Sequence, residues 1–323
     1  MERVCVVGAG AIGSLFAGHL ASVAEVSVLC RREEHAAALN AGGLRVSGKS
    51  DRHALVTAAT DPADLPAPDL VIVAVKATQL QETAAVLDGR WPGAAAMTVQ
   101  NGLGAEAVVR AAGDWPLISA VTFMSGIRHG DAHVEYELDT PTWMGPYAGT
   151  ATPLGLADEA GGLIGRSGLK VEVLPDLLPA QWSKLVFNAA VNGVAALTEL
   201  PHVAAFADER EASGLGHVLR GLIDEGKAVA TAAGVALHDD PWEMNVRAVS
   251  RGATGAAGGR YAHLPSMLED VLAHRLTEVD WIGGALVREA ERLGVPAPLN
   301  AAVWRLVKAK EASWARTAEV AVA

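Results

Sequence analysis

The stretch RVCVVGAGAIG, residues 3–13, decides the fold. Arg3–Val7 is a short apolar run rich in β-branched residues. It runs directly into Gly8-Ala9-Gly10-Ala11-Ile12-Gly13, after which Leu15, Phe16 and Leu20 recur at helical spacing. GxGxxG is informative only when it follows a strand and opens a helix, and both conditions are met here. Gly8 permits the tight turn, Gly10 lets a pyrophosphate approach the backbone, and Gly13 lets helix and strand pack closely. The backbone N–H groups of Ala11, Ile12 and Gly13 open a helix whose positive end favours phosphate. The expectation is a dinucleotide-binding α/β domain of Rossmann type.

The runs that follow fit a parallel sheet. Glu25–Leu29 reads as the second strand and Asp69–Val75 (DLVIVAV) as a strand buried on both faces. Ala95–Val99, Leu117–Phe123, His133–Leu138, Thr142–Met144 and Val171–Leu174 read as further strands. Leu44–Ser47 and Ala54–Ala59 read as short strands, and Glu33–Asn40 and roughly Ala157–Ser167 as helices. At the end of the second strand stands Cys30-Arg31-Arg32, where an NAD-type site would place an acid. A guanidinium suits a ribose 2′-phosphate, so Arg31 points to NADPH rather than NADH. The plainer reading of the pair is two exposed arginines on a loop. Lys76 follows a buried strand and Asn101 follows the next, both at the sheet edge where ligands bind. Each has an ordinary alternative: a solvated lysine, and an Asn-Gly turn at Asn101-Gly102.

From residue 176 the pattern is helical. QWSKLVFNAAVN, residues 181–192, sets Lys184, Asn188 and Asn192 at i, i+4 and i+8. Each step turns ~40° past a full turn, so the three share a helix face. The residues between them are apolar. One ammonium and two amides on a mostly buried helix are costly unless a polar ligand occupies the space in front. In the alternative, Lys184 reaches solvent and the asparagines cap nearby turns. Ala204–Ala233 reads as one long amphipathic helix with Arg220, Asp224, Glu225 and Lys227 on a solvated face. Ser250–Gly259 (SRGATGAAGG) reads as a loop, either a lid or a linker. Ser266 and Glu269 form the S-x-x-E of a capping box, at a helix start that also suits a carboxylate. That helix is expected to run past His274, Arg275 and Glu278 towards Gly283. Ser266 and Glu278 would then lie ~18 Å apart, too far for one small ligand unless it is long or the helix breaks. Glu278, Asp280 and Arg275 otherwise read as a surface charge cluster.

The bulk numbers limit the partners. The chain has 323 residues, with 26 Lys+Arg against 37 Asp+Glu and a net charge of -11. That balance argues against nucleic acid or an anionic membrane surface as the main partner. Cys5 and Cys30 lie in strand-like runs without metal spacing and read as reduced core residues. No run of about 18 apolar residues and no signal-peptide pattern is present, and the expectation is a cytoplasmic protein.

Taken together, the motifs resemble the ketopantoate reductase (2-dehydropantoate 2-reductase) family over essentially the whole chain. The resemblance rests on GAGAIG at 8–13, Arg31, VKATQ at 75–79 and QNGLG at 100–104. It continues through WSKLVFNAAVN at 182–192, PSMLEDV at 265–271 and TEVDWI at 277–282. It implies an NADP-binding Rossmann-type domain over residues 1–175 and an all-α substrate domain over 176–323, with the site in the cleft between. It implies NADPH-dependent reduction of a 2-keto acid, ketopantoate foremost, to a 2-hydroxy acid. By the resemblance Lys184 is the catalytic lysine, and Asn101, Asn188, Asn192 and Ser266 contact cofactor or substrate. Glu278 matches the acid that holds a ribose hydroxyl or the lysine network, and Lys76 lies near the same place. Two features depart from the family: Gly283-Gly284 in place of Asn-Gly, and the bulky Thr122–Ser125 segment with His129 and Trp143 nearby. A pocket lined by Phe123, Met124 or Trp143 would favour a larger or aromatic side chain. Other branched or aromatic keto acids, or an imine, are therefore the second reading, and a non-catalytic NADPH-binding regulator is the third. Apolar faces in the helical domain suggest a homodimer.

Overall fold

The computed structural model describes residues 1–210, 212–254 and 264–322. By contacts the chain divides into two units, one of Met1–Gln100 with Ala105–Leu177, the other of Asn101–Gly104 with Leu178–Ala323.

The first unit is α/β. It begins β1 (Arg3–Val7), α1 (Ala11–Leu20), β2 (Glu25–Leu29), α2 (Glu33–Gly42), β3 (Leu44–Gly48), β4 (Arg52–Ala54) and β5 (Thr57–Ala59). It continues β6 (Leu70–Val73), α3 (Leu80–Leu87), β7 (Ala95–Thr98), α4 (Ala105–Ala112) and β8 (Leu117–Thr122). It ends with β9 (Ser125–Gly130), β10 (His133–Leu138), β11 (Thr142–Pro146), α5 (Leu154–Arg166) and β12 (Val171–Val173). The main sheet runs β12-β11-β8-β7-β6-β1-β2-β5. Its pairs are parallel except β8 with β11. The chain leaves β1 for β2 on one side and returns to β6 on the other, a switch point at which such sheets bind ligands. The buried strands β6 (LVIV) and β7 (AAMT) show the continuous apolar runs expected of strands covered on both faces.

A second sheet, β4-β3-β10-β9, is a feature the sequence reading lacks. Helix α1 packs against strands of both sheets, which is why nearly all of it is buried. Phe16 is 0% exposed, and burying such a side chain stabilises the fold by roughly 2–3 kcal/mol. The buried His19 is satisfied on both ring nitrogens, by Leu15 O and Ser50 Oγ. Burial holds its pKa below the usual histidine value.

The second unit is helical: α6 (Leu178–Thr198), α7 (Leu215–Ala232), α8 (Pro241–Thr254), α9 (Ser266–Leu272), α10 (Gly283–Leu293) and α11 (Pro298–Val322). Helix α6 is buried from Ala180 to Ala196, and all five other helices pack on it. Glu225 of α7 accepts the N–H groups of Leu299 and Asn300 and so caps α11; it belongs to no free solvated face. Among the described residues no helix is long and apolar enough to cross a membrane.

Three expectations need correction. The segment Ala204–Ala233 is not one helix: Ala204–Phe206 forms a 3-10 turn and α7 begins only at Leu215. Gly214, at φ 70, turns the chain, and Gly216 packs so closely on Asp208 O that a Cβ would sit 2.2 Å away. Ser250–Thr254, read as loop, ends α8, and Ser250 Oγ donates back to Val246 O within the helix; the remainder of that loop lies outside the described residues. Finally, the helix from Ser266 stops at Leu272 instead of reaching Gly283. Arg275 N donates to Asp270 O and His274 N to Val271 O, the paired bonds of a Schellman ending, with His274 at φ 50 in the left-handed position. A histidine fills the place that glycine usually signals.

Candidate active site

The glycine turn lies between β1 and α1. Gly8 has φ 96, and a Cβ there would stand 2.6 Å from Val75 Cγ1, so the turns after β1 and β6 touch. A Cβ on Gly13 would fall 1.9 Å from Gly8 O, whereas a Cβ on Gly10 would meet nothing within 4 Å. The backbone is thus closed at Gly8 and Gly13 and open at Gly10, as a pyrophosphate cradle requires. No acidic side chain occupies the first turn of α1, where Ala11, Ile12 and Gly13 offer N–H groups.

Arg31 is exposed at the end of β2 and enters no ion pair among the described residues. Its neighbour Arg32 pairs instead with Asp131 on the β9–β10 turn, which also holds Arg128 at 2.8 Å. Lys76 is exposed and precedes a short 3-10 turn, Ala77–Gln79. Gln100, which the sequence reading passed over, is buried and donates to Val73 O and Val75 O, fastening the chain just before Asn101. Its place at the end of a buried strand is the signal that could have found it.

The second unit holds six of the singled-out residues: Asn101, Lys184, Asn188, Asn192, Ser266 and Glu278. Lys184 and Asn188 are each 6% exposed, Asn192 is 5% exposed and Glu278 is 6% exposed. The reading in which Lys184 reaches solvent is excluded by that burial. Asn101 Nδ2 donates to Glu278 Oε2 at 3.4 Å, and Asn188 Nδ2 donates to Asn101 Oδ1 at 3.5 Å. Asn101 is held by its own loop: Leu103 N donates to Trp281 O at 3.1 Å, and Gln181 Nε2 to Gly102 O at 3.4 Å. Gly102, at φ 94, permits this approach, since a Cβ there would lie 1.9 Å from Trp281 O. So Asn-Gly is both the turn signal and the means of setting Asn101 beside Glu278.

Burial pushes the Lys184 ammonium down to about 8, and the Glu278 carboxylate opposes part of that fall. A lysine near neutrality can hold and release a proton in the working pH range. Ser266 is half-buried and is the first residue of α9, with Pro265 at the capping position and no side-chain cap bond. The capping box therefore does not form, because the helix begins one residue too early for it. The α9 ending removes the ~18 Å separation of a straight helix between Ser266 and Glu278. Asp280, read as part of a surface cluster, instead accepts Trp304 Nε1 at 2.8 Å and Lys308 Nζ at 2.9 Å. Arg275 pairs with Asp270 at 3.0 Å.

Phe123 and Trp143 meet edge to face, with centroids 5.2 Å apart, and Met124 is buried. His129 is exposed and contacts Glu135 on the β9–β10 hairpin. Cys5 and Cys30 are free and buried. Among the described residues no group of His, Cys, Asp and Glu could hold a metal ion.

The family model for ketopantoate reductase PanE/ApbA matches residues 4–149, and the model for its C-terminal part matches residues 176–311. The chain is 28% identical over 316 residues to the 2-dehydropantoate 2-reductase of Pyrococcus horikoshii, covering 96% of this chain and 97% of that one. It superposes on the PanE/ApbA family ketopantoate reductase of Ralstonia eutropha with a TM-score of 0.82 at 28% identity, over 97% and 99% of the two chains. A D-mandelate dehydrogenase solved with NADH and anilino(oxo)acetate superposes with a TM-score of 0.83 over 97% and 99% of the chains; at 22% identity that likeness is one of fold. The chain belongs to the ketopantoate reductase (PanE/ApbA) family of oxidoreductases.

Proposed function

We propose that this protein reduces a 2-keto acid to the 2-hydroxy acid with NADPH, that 2-dehydropantoate is its substrate, and that Lys184 is the general acid. The observation that carries this is a lysine ammonium buried at 6% exposure, brought to about 8, beside Glu278 and a run of neutral amides. A nicotinamide dinucleotide bound at the Gly8–Gly13 turn would supply the hydride. Gly10 and the α1 N-terminus receive its pyrophosphate, and the exposed guanidinium of Arg31 receives the 2′-phosphate. Hydride arriving at a carbonyl carbon leaves negative charge on oxygen. Lys184 Nζ stabilises that charge and gives up its proton to it. Asn188 and Asn192 orient the keto acid without adding charge, Ser266 hydrogen-bonds its carboxylate, and Asn101 and Glu278 hold the ammonium and a ribose hydroxyl. Lys76 contributes positive charge at the cofactor edge. The amines are few and the amides many, which suits a monoanionic substrate.

A second reading keeps the reaction and changes the substrate to an aromatic or larger branched 2-keto acid. The Phe123–Trp143 pair favours it, since edge-to-face aromatics make a wall for an aromatic ring. Rates of NADPH oxidation with 2-dehydropantoate and a panel of aliphatic and aromatic keto acids separate the two. Negligible turnover of 2-dehydropantoate discards the first, and unchanged turnover in Lys184→Ala discards the catalytic role of that lysine.

A further inference from the structure

Glu278 sits in the middle of a turn, Thr277–Ile282, that belongs to no helix. Loops of this kind rarely hold a side chain still without outside support. Here the support comes from α11. Glu311 is buried, 6% exposed, and its Oε1 accepts both Thr277 N at 2.8 Å and Thr277 Oγ1 at 2.6 Å. Thr277 Oγ1 in turn accepts Val279 N at 3.2 Å. The backbone amides on either side of Glu278 are therefore both tied to one carboxylate. Lys308 Nζ stands 3.0 Å from Glu311 Oε2 and 2.9 Å from Asp280 Oδ2, joining the anchor to the far side of the turn. Arg288 closes the turn by donating to Asp280 O at 2.8 Å. A buried carboxylate is costly unless it is hydrogen-bonded and paired; this one gives Oε1 to Thr277 of the Glu278 turn and Oε2 to Lys308.

We propose that Glu311 is a positioning residue: acting through Thr277, it fixes the turn that carries Glu278 and so keeps the Glu278 carboxylate beside the Lys184 ammonium. The proposal rests on the reading of Lys184 and Glu278 as the reacting pair. Glu278 is the charged neighbour felt by Lys184. Of the ionised groups on the helices packed on α6, Asp270 of α9 pairs with Arg275, Lys227 of α7 with Asp240, Arg247 of α8 with Asp239, and Lys308 of α11 with Asp280 and Glu311.

The test is a titration of Lys184 by NMR in the full-length protein labelled at lysine Cε, its signal identified by loss in Lys184→Met. The wild-type midpoint is expected near 8. Glu278→Gln should lower it by about one pH unit or more, the usual effect of losing an adjacent opposite charge. Glu311→Leu should lower it in the same direction by at least about half as much, and Glu311→Gln, which keeps an acceptor for Thr277, should stay within about 0.3 of wild type. A role in folding alone would leave the midpoint unmoved in every variant that folds. If Glu278→Gln moves the midpoint and Glu311→Leu does not, the proposal is overturned while the Lys184–Glu278 reading stands. If Glu278→Gln itself has no effect, that reading falls and the proposal with it. Should Glu311→Leu fail to fold, Thr277→Val decides by the same criterion, since it removes the hydroxyl that links Glu311 to Val279.

Discussion

Replacing Lys184 by methionine should make the protein inactive and more stable. The magnitude follows from the burial of the ammonium. A lysine held at about 8 rather than its ordinary 10.5 disfavours the folded state by about 3 kcal/mol, at about 1.4 kcal/mol per pH unit. Methionine matches the unbranched stem and removes the charge. Part of the gain is lost because Glu278 then has no cation beside it, so the expected net increase at pH 7 is about 1–3 kcal/mol. The sign with pH is specific. Between about 8 and 10.5 the unfolded chain binds the lysine proton and the folded chain does not. Wild-type stability therefore gains from this group as pH rises through that window, and the gap to Lys184→Met closes. Other groups titrate in the same range, such as Cys5, pushed up to about 12 by burial, but they are common to both proteins and cancel in the difference. Urea unfolding of the two proteins at pH 7, 9 and 10.5 measures the gap. A variant less stable than wild type at pH 7, or a gap that stays constant to pH 10.5, would refute the claim that an unfavourable buried charge sits at this position.

With Lys184 as the proposed general acid, kcat should hold at low pH and fall as pH rises through about 8; a profile flat from pH 6 to 10 assigns the proton to another group. Arg31→Ala should weaken NADPH by about tenfold or more, the scale of a lost charge-assisted contact, and leave NADH within about twofold; equal losses, read by nicotinamide fluorescence titration, reject the 2′-phosphate role. Gly13→Ala places a Cβ 1.9 Å from Gly8 O, and relieving that overlap should cost about 1–3 kcal/mol of stability and most of the cofactor affinity; unchanged melting and binding would mean the turn is looser than its geometry.

The α/β half was legible because its elements announce themselves one at a time. β1, the glycine turn and α1 are consecutive, and β6 and β7 are uninterrupted apolar runs. The second sheet was only half legible. β10 alternates buried and half-buried residues, and its run His133–Leu138 reads as a strand. Its partner β9, SGIRHG, is exposed along most of its length and carries no apolar period; it exists because β10 pairs with it. The row Lys184, Asn188, Asn192 was legible from spacing alone, since α6 is regular and its other faces are apolar. The Glu278 turn was not, because a helix stop normally needs glycine or proline and here His274 takes the left-handed position. Nothing local marks Glu311 either: its role depends on Thr277, 34 positions away.

That unread turn bears on how the fold tolerates its own site. An ammonium at the centre of a domain is unfavourable wherever it lies, so it has to be carried by an element with stability to spare. Helix α6 is such an element, buried from Ala180 to Ala196 with helices on every side. A carboxylate fixed on the same helix would have paired with Lys184 permanently and raised its pKa out of the useful range. Glu278 is instead mounted on a separate turn, and at 3.4 Å it shares its Oε2 with the amide of Asn101. The charge of Glu278 opposes part of the fall that burial causes, and the lysine stands near 8. Tuning of this kind requires the carboxylate to be held at a set distance rather than left to close on the ammonium. The ties at Thr277, Val279 and Asp280 supply that restraint.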